Sequence, residues 1–337
     1  MELSHTELEM LEAKQVCLNF DFSITKEIAE KIGTSTIIFA GMGSSLIFPG
    51  KQAKNRALKL GISNRVEAYF ASDLFQYEDF SNTYIFLCSN SGKTKEVILL
   101  LDYAQKHGAK CIAVTAVSDS VLAQRADEKI ILTCGFEQGV AATKSVIEQG
   151  LVYDSLIFNL AKLQGQTVDF NNLKDELSKA ADVIENNANL KLEDNVLSTL
   201  INSNQFFMVG LENGVAEEIA LKAFEITRKF AVFYPDTHIA HGVVEAIHEG
   251  SVVIFDTSAF SDYMGDFEKF ASQTGTKIVG VGELFSQSDI KIAVNKTFEN
   301  YCYLAGGWGL LRNIANKLSL DVDHPEKVSK VGNPFEE

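Results

Sequence analysis

Short apolar, β-rich runs alternate along the chain with longer amphipathic stretches. Ser35–Ala40, Thr83–Cys88, Lys110–Thr115 and Lys129–Leu132 predict strands, and Gly43–Leu60, Lys95–His107 and Val121–Ala126 predict the helices between them. Strands that are apolar on both faces belong in a parallel sheet covered by helices on each side. The order recurs in the second half. Gln205–Val209, Val252–Phe255 and Lys277–Val281 predict strands offset from first-half counterparts by 168, 168 and 167 residues (205 against 37, 252 against 84, 277 against 110). The predicted fold class is therefore α/β: two similar three-layer domains, each a parallel sheet flanked by helices. A long helix is predicted over Thr143–Leu163. The polar stretch Leu163–Asp175 after it predicts the boundary, dividing the chain into residues 1–165 and 166–337.

A length of 337 residues agrees with two domains, and 46% hydrophobic with 22% charged residues excludes disordered and low-complexity classes. Thirty basic against 45 acidic residues give a net charge of −15. The chain thus lacks the broad basic field that would hold a nucleic-acid backbone or an anionic membrane, and an anionic ligand needs a local site. Five scattered cysteines (Cys17, Cys88, Cys111, Cys134, Cys302), none in a C-x-x-C pair, predict neither disulfides nor a cysteine metal site. Met1–Lys14 lacks signal-peptide character, and no apolar run reaches the ~18 residues that span a bilayer, so the expected location is the cytoplasm.

Ser89-Asn90-Ser91-Gly92-Lys93-Thr94 joins an apolar strand to the helix beginning near Lys95. Three hydroxyls, a glycine that admits close backbone approach and amides at a helix N-terminus predict a cradle for a compact phosphate; an ordinary N-cap would need only one serine. The loop is not a Walker motif, because Leu87 stands where that pattern needs glycine. Gly41-x-Gly43 is not a dinucleotide fingerprint, because Leu46 stands at its third glycine. Ser44 and Ser45 are expected to add hydroxyls to the same pocket. The matching second-half stretch, Asp256–Phe260, carries a carboxylate and predicts no second cradle.

Within Val215–Phe230, Glu218, Lys222 and Glu225 recur at i, i+4 and i+7 on one helical face, surrounded by Val215, Ile219, Ala220, Leu221, Ala223, Phe224 and Ile226. A helix apolar over most of its circumference is buried, so the three charges must pair or face a polar cavity; both a structural ion pair and an acid–base site fit that pattern. His241, beside Gly242 in a loop-like stretch, is a candidate general acid–base. His238 and His241 have metal-like spacing but no third ligand nearby, so no metal and no cofactor are expected.

These stretches occur in the order of a known family. Gly43-Ser44-Ser45, Ser89–Thr94, Gly139-Val140-Ala141-Ala142-Thr143-Lys144, Glu218-x-x-x-Lys222-x-x-Glu225, His241-Gly242 and Asp321-Val322-Asp323-His324-Pro325 with Lys330 resemble the sugar isomerase (SIS) domain family, in particular the tandem isomerase half of glucosamine-6-phosphate synthase. The resemblance implies phosphate binding by Ser45, Ser89, Asn90, Ser91 and Thr94, with Gly43, Ser44, Val140, Ala142 and Glu218 near the sugar. It implies Glu225 as the base between C1 and C2, Lys222 assisting, His241 opening the ring and Lys330 forming a Schiff base. Since the family's histidine comes from a second subunit, a homodimer with shared sites is implied. Ala142, Val243 and Phe224 replace a serine, a proline and a lysine of the family pattern, and no glutaminase segment is expected ahead of the first domain. The expected activity is isomerisation and deamination of an amino sugar phosphate of the glucosamine 6-phosphate type, without glutaminase action. A fructosamine 6-phosphate deglycase is the near alternative, and a non-catalytic sugar-phosphate sensor is the alternative from another class.

Overall fold

The computed structural model describes residues 3–256, 264–282 and 290–336. Of the stretch read as a cradle-less counterpart, Thr257–Phe260 lie outside the described residues. In chain order come α1 (His5–Asn19), α2 (Lys26–Ile32), β1 (Thr36–Gly41), α3 (Ile47–Leu60), β2 (Val66–Phe70), β3 (Thr83–Cys88), α4 (Lys95–Lys106), β4 (Lys110–Thr115), α5 (Val121–Arg125), β5 (Glu128–Ile131), α6 (Lys144–Leu163) and α7 (Phe170–Ala188). They are followed by α8 (Asp194–Asn202), β6 (Gln205–Gly210), α9 (Val215–Lys222), β7 (Phe230–Pro235), β8 (Ser251–Asp256), α10 (Met264–Thr274), β9 (Lys277–Val281) and α11 (Glu299–Lys317).

The chain is an α/β protein with two parallel sheets, ordered β2-β1-β3-β4-β5 and β7-β6-β8-β9. The same order of the first four strands in each sheet explains the near-constant offset in sequence. Alternation along β1 shows why its residues are apolar throughout. Ile38 and Ala40 pack with Val97, Leu100 and Leu101 of α4, whereas Phe39 points the other way and stacks on Tyr153 of α6 at 4.1 Å.

The compact units are discontinuous in sequence. The first-sheet unit comprises Gln15–Gln138, Ala142–Asp175 and Lys327–Glu337, and the second-sheet unit comprises Met1–Lys14, Gly139–Ala141 and Glu176–Glu326. The chain therefore changes unit at several points rather than once between 165 and 166, and α7 begins inside the polar stretch Leu163–Asp175.

Two strands escaped the periodicity. β2 and β7 are edge strands, half-buried along most of their length, and Phe230 belongs to β7 rather than to the preceding helix. Sheet edges do not demand a continuous apolar run, so their signal is weak.

Candidate active site

The first sheet reverses its strand order at β1, with β2 on one side and β3 on the other, and ligands bind such parallel sheets in the crevice beyond the carboxyl ends of those strands. Both hydroxyl-rich loops lie there. Gly41 at the end of β1 is in register with Cys88 at the end of β3. Gly43–Ser45 form a tight turn after the first, and Ser89–Thr94 follow the second.

Within the second loop the Ser89 hydroxyl lies 2.8 Å from that of Thr94 and 3.4 Å from that of Ser91. The amide of Lys93 donates to Ser91 Oγ at 3.2 Å and that of Thr94 to Ser89 Oγ at 3.4 Å. The loop is fixed to β4, since the Asn90 carbonyl accepts from the Ala116 amide and the Thr115 hydroxyl at 3.0 and 3.1 Å. Gly92 makes this turn at φ +63°, and a Cβ there would lie 2.1 Å from Ser120 Oγ, so no other residue fits. The buried side-chain amide of Asn90 has no hydrogen-bond partner among the described residues. Burial pushes the Cys88 thiol up to about 12, which removes it as a nucleophile at neutral pH.

One expectation needs correction. The amides of residues 93–95 are not free, because the Lys95 amide donates to the Asn333 carbonyl at 3.0 Å. The C-terminal segment is clipped alongside the cradle. Phe335 N donates to the Lys93 carbonyl at 2.8 Å, Asn333 Nδ2 reaches Glu96 at 2.8 Å, and the Arg125 guanidinium lies over the Phe335 ring.

The same segment brings Lys330 to a carboxylate that the sequence reading missed. Lys330 Nζ lies 3.3 Å from Glu137 Oε2. Glu137 is fully buried and accepts from Ser145 Oγ at 2.6 Å and from the amides of Thr143 and Ser145 at 2.7 and 3.3 Å, at the start of α6. Burial alone would raise its pKa, but the Lys330 charge and these hydrogen bonds outweigh burial and hold it below the usual carboxylate range.

In the second-sheet unit, α9 is buried between the sheet and α11. Ile219 seats directly on Gly307 of α11, where a Cβ would come within 2.3 Å of it. Just ahead of α9, Asn213 Oδ1 accepts from the Val215 amide at 3.1 Å, an Asx turn that leads into the helix. The expected charge stripe is an ion-paired triad. Lys222 Nζ lies 3.3 Å from Glu218 Oε1 and 2.6 Å from Glu225 Oε2. Glu218 and Lys222 side chains are 0% exposed, whereas Glu225 is 25% exposed. Burial would lower the Lys222 pKa, but the Glu225 and Glu218 carboxylates together raise it above its ordinary value, so Lys222 stays an ammonium. Immediately after Lys222 the helix widens into a π-turn, Ala223–Thr227, which carries Glu225, and Arg228 closes it at φ +58°. Such widened turns recur at functional sites.

His241 is not beside this triad. The chain returns from the carboxyl end of β6 through α9 to the start of β7, so Glu225 sits near the amino end of β7, where Phe224 packs edge-to-face on Phe230 at 5.7 Å. His241 follows Pro235 at the other end, and a six-residue strand is about 17–20 Å long. Its imidazole is exposed at that edge.

The segment with the first loop matches the SIS domain family over residues 33–158. The matched stretch covers all five strands of the first sheet and most of α6. The chain as a whole is similar to glutamine–fructose-6-phosphate aminotransferase (isomerizing) of Clostridium perfringens, 25% identical over 342 aligned positions that cover 95% of this chain and 55% of that protein. The chain spans about half the length of the curated relatives it matches. In fold it resembles the C-terminal domain of glucosamine-fructose-6-phosphate aminotransferase from Francisella tularensis, with TM-score 0.81 at 20% identity over 96% of this chain and 99% of that one. It also resembles glucosamine-6-phosphate deaminase from Thermotoga maritima, with TM-score 0.73 at 22% identity over 97% and 99%.

Within the matched stretch the structure gathers Ser89, Ser91 and Thr94, with Asn90 in the same loop and Gly43, Ser44 and Ser45 at the end of the neighbouring strand. Val140 and Ala142 are both half-buried but fall in different units. The Asp321–His324 part of the last motif is structural. Asp323 accepts from the amides of His5 and Thr6 at 2.6 and 3.0 Å at the start of α1, and Asp321 Oδ1 accepts from the amides of Asp323 and His324, both at 3.1 Å. Among the described residues no group of three or more His, Cys, Asp or Glu is placed to hold a metal, and no helix is long and apolar enough to cross a membrane.

Proposed function

We propose that this chain is a phosphosugar isomerase and deaminase acting on an amino sugar phosphate of the glucosamine 6-phosphate type. The reading rests above all on the buried triad. Lys222 is fixed as a cation between two carboxylates, and Glu225 alone of the three reaches solvent on a widened turn. Lys222 therefore serves as electrostatic support rather than as base, and Glu225 is the group that can take a proton from substrate. In the proposed reaction the Ser89–Thr94 loop, with Asn90 and Ser45, holds the phosphate. Glu225 takes the proton from one of C1 and C2 and returns it to the other, through an enolamine. Water then adds to the C2 imine, ammonia leaves, and the keto sugar is fructose 6-phosphate.

His241 is assigned ring opening. Its separation from Glu225 along β7 favours a histidine supplied by a second copy of the chain, hence a homodimer. Lys330 is assigned contact with the keto carbonyl, its ammonium positioned by Glu137. A second reading, a fructosamine 6-phosphate deglycase, has one observation in its favour: Phe224 and Phe230, 43% and 54% exposed, offer apolar surface beside Glu225 for the amine-bearing part of a larger substrate.

Turnover on a panel of amino sugar phosphates and fructosamine 6-phosphates, with proton NMR in deuterium oxide, tests the assignment. Wild type should convert one of them with deuterium entering at the carbon that gains the proton. Glu225→Gln should bind the same substrate and lose about 10²–10⁴ in rate. Binding without conversion across the panel overturns the enzyme reading in favour of a sensor, and unchanged exchange in Glu225→Gln moves the base elsewhere.

A further inference from the structure

The first-sheet unit contains a cavity of about 760 Å³ that none of the phosphate-loop residues lines, at the opposite end of α6 from Glu137. α6 measures the separation. Glu137 docks at its first turn, and the cavity lies at its last, roughly 25 Å away at 1.5 Å per residue. The floor is aromatic, with Phe20 and Phe22 meeting edge-to-face at 5.1 Å and Phe170 6.2 Å from Phe22. The rim is cationic, with Lys26, Lys162 and Lys174. Lys162 Nζ stands 5.0 Å from the centre of the Phe170 ring, which shows rim and floor within one small ligand's reach.

The wall is preformed. Asn159 Nδ2 donates to the Phe22 carbonyl at 2.9 Å and to Thr25 Oγ1 at 3.2 Å, and the Thr25 and Ser155 hydroxyls meet at 2.9 Å, so the turn Phe22–Thr25 is bolted to α6. Of the two acidic residues in the lining, Asp21 directs its oxygens at the Ser23 amide and hydroxyl, at 2.9 and 2.8 Å. The lining therefore sets three lysines against two carboxylates, Glu30 and an Asp21 that also feels the Lys174 charge, an excess of positive charge in a chain whose net charge is −15. A cavity of this size suits a drug-sized molecule, and an aromatic floor under a cationic rim selects for one that is apolar at one end and anionic at the other.

We propose that this cavity is a second ligand site, distinct from the sugar-phosphate site, for a small molecule that joins a flat aromatic ring to an anionic group. A bare anion would make no use of the phenylalanines, and a neutral aromatic would make no use of the lysines. The inference does not depend on the reaction the chain performs.

Fluorescence titration of the full chain with 1-anilinonaphthalene-8-sulfonate tests it, with circular dichroism confirming the fold of each variant. The expected result is one saturable site per chain, weakened at least tenfold in Lys26→Glu/Lys174→Glu and in Phe170→Ala. The milder Lys162→Gln should weaken it severalfold and serves if a double variant does not fold. Phenyl phosphate should displace the probe, whereas inorganic phosphate and benzyl alcohol at equal concentration should not. Wild-type affinity in the charge-reversed variant, or displacement as strong by benzyl alcohol or by inorganic phosphate as by phenyl phosphate, overturns the proposal.

Discussion

Replacing Lys222 by methionine isolates the electrostatics of the α9 triad, because methionine keeps the apolar stem and approximate volume while removing the ammonium. At 3.3 Å from Glu218 the attraction amounts to about 5 kcal/mol at an effective dielectric of 20. The lysine's own desolvation offsets part of this, and removing one member of a buried pair destabilises by about 3–5 kcal/mol. The loss should depend on pH in a definite direction. Without the ammonium, the buried Glu218 takes up a proton more readily in the folded state than in the unfolded one. Its stability contribution is then fully present below the ordinary glutamate range, near pH 4, and falls as pH rises. The gap to wild type should therefore be widest at pH 8.5 and narrower at pH 5. The wild-type lysine adds no slope there, because a raised lysine pKa leaves its contribution intact at every pH below its unfolded value of 10.5. Urea unfolding followed by circular dichroism at both pH values measures this, and Glu218→Gln/Lys222→Met should recover most of the loss. A gap below about 1 kcal/mol at pH 8.5, or one that stays constant between the two pH values, would refute a buried, charge-dependent triad.

Three further outcomes follow from the first-sheet unit. Ser89→Ala/Ser91→Ala should keep the fold and weaken phosphosugar binding by about 1–3 kcal/mol, roughly tenfold to a hundredfold, in isothermal titration. Gly92→Ala should lower the thermal midpoint, with a loss of about 2 kcal/mol or more, because the new Cβ meets both a positive φ and the Ser120 hydroxyl; a midpoint unchanged from wild type would contradict the turn described here. Glu137→Gln should destabilise at neutral pH, and because the native carboxyl titrates below its unfolded value of 4.5, the difference from wild type should close as pH falls below that value and onward through the folded pKa.

Sequence legibility followed burial. β1, β3 and β4 are covered on both faces and therefore apolar throughout, while the half-buried edge strands β2 and β7 carry a mixed pattern that alternation and propensity do not separate from loop. Glu218, Lys222 and Glu225 could be read because three charges in an otherwise apolar helix conflict with its burial, and the cradle because three hydroxyls exceed what a cap needs. Glu137 gave no such contrast. It is one acid in a short polar stretch, and its cationic partner lies 193 residues further on. His241 shows the opposite failure, since nearness in sequence to the triad helix becomes separation once β7 intervenes.

The crossing of terminal segments between units bears on how this protein can be dissected. A fragment ending near residue 165 would contain every strand of the first sheet yet lack Lys330, leaving the Glu137 carboxylate without its cation, and it would lack the clip along Lys93–Glu96 beside the phosphate loop. The complementary fragment would hold the α9 triad but not Glu7, whose carboxylate pairs with Arg312 of α11 and accepts from Asn316 Nδ2. Half-molecules cut in the linker are thus incomplete on both sides, and two fragments mixed in solution should recover order only by rebuilding both exchanges at once.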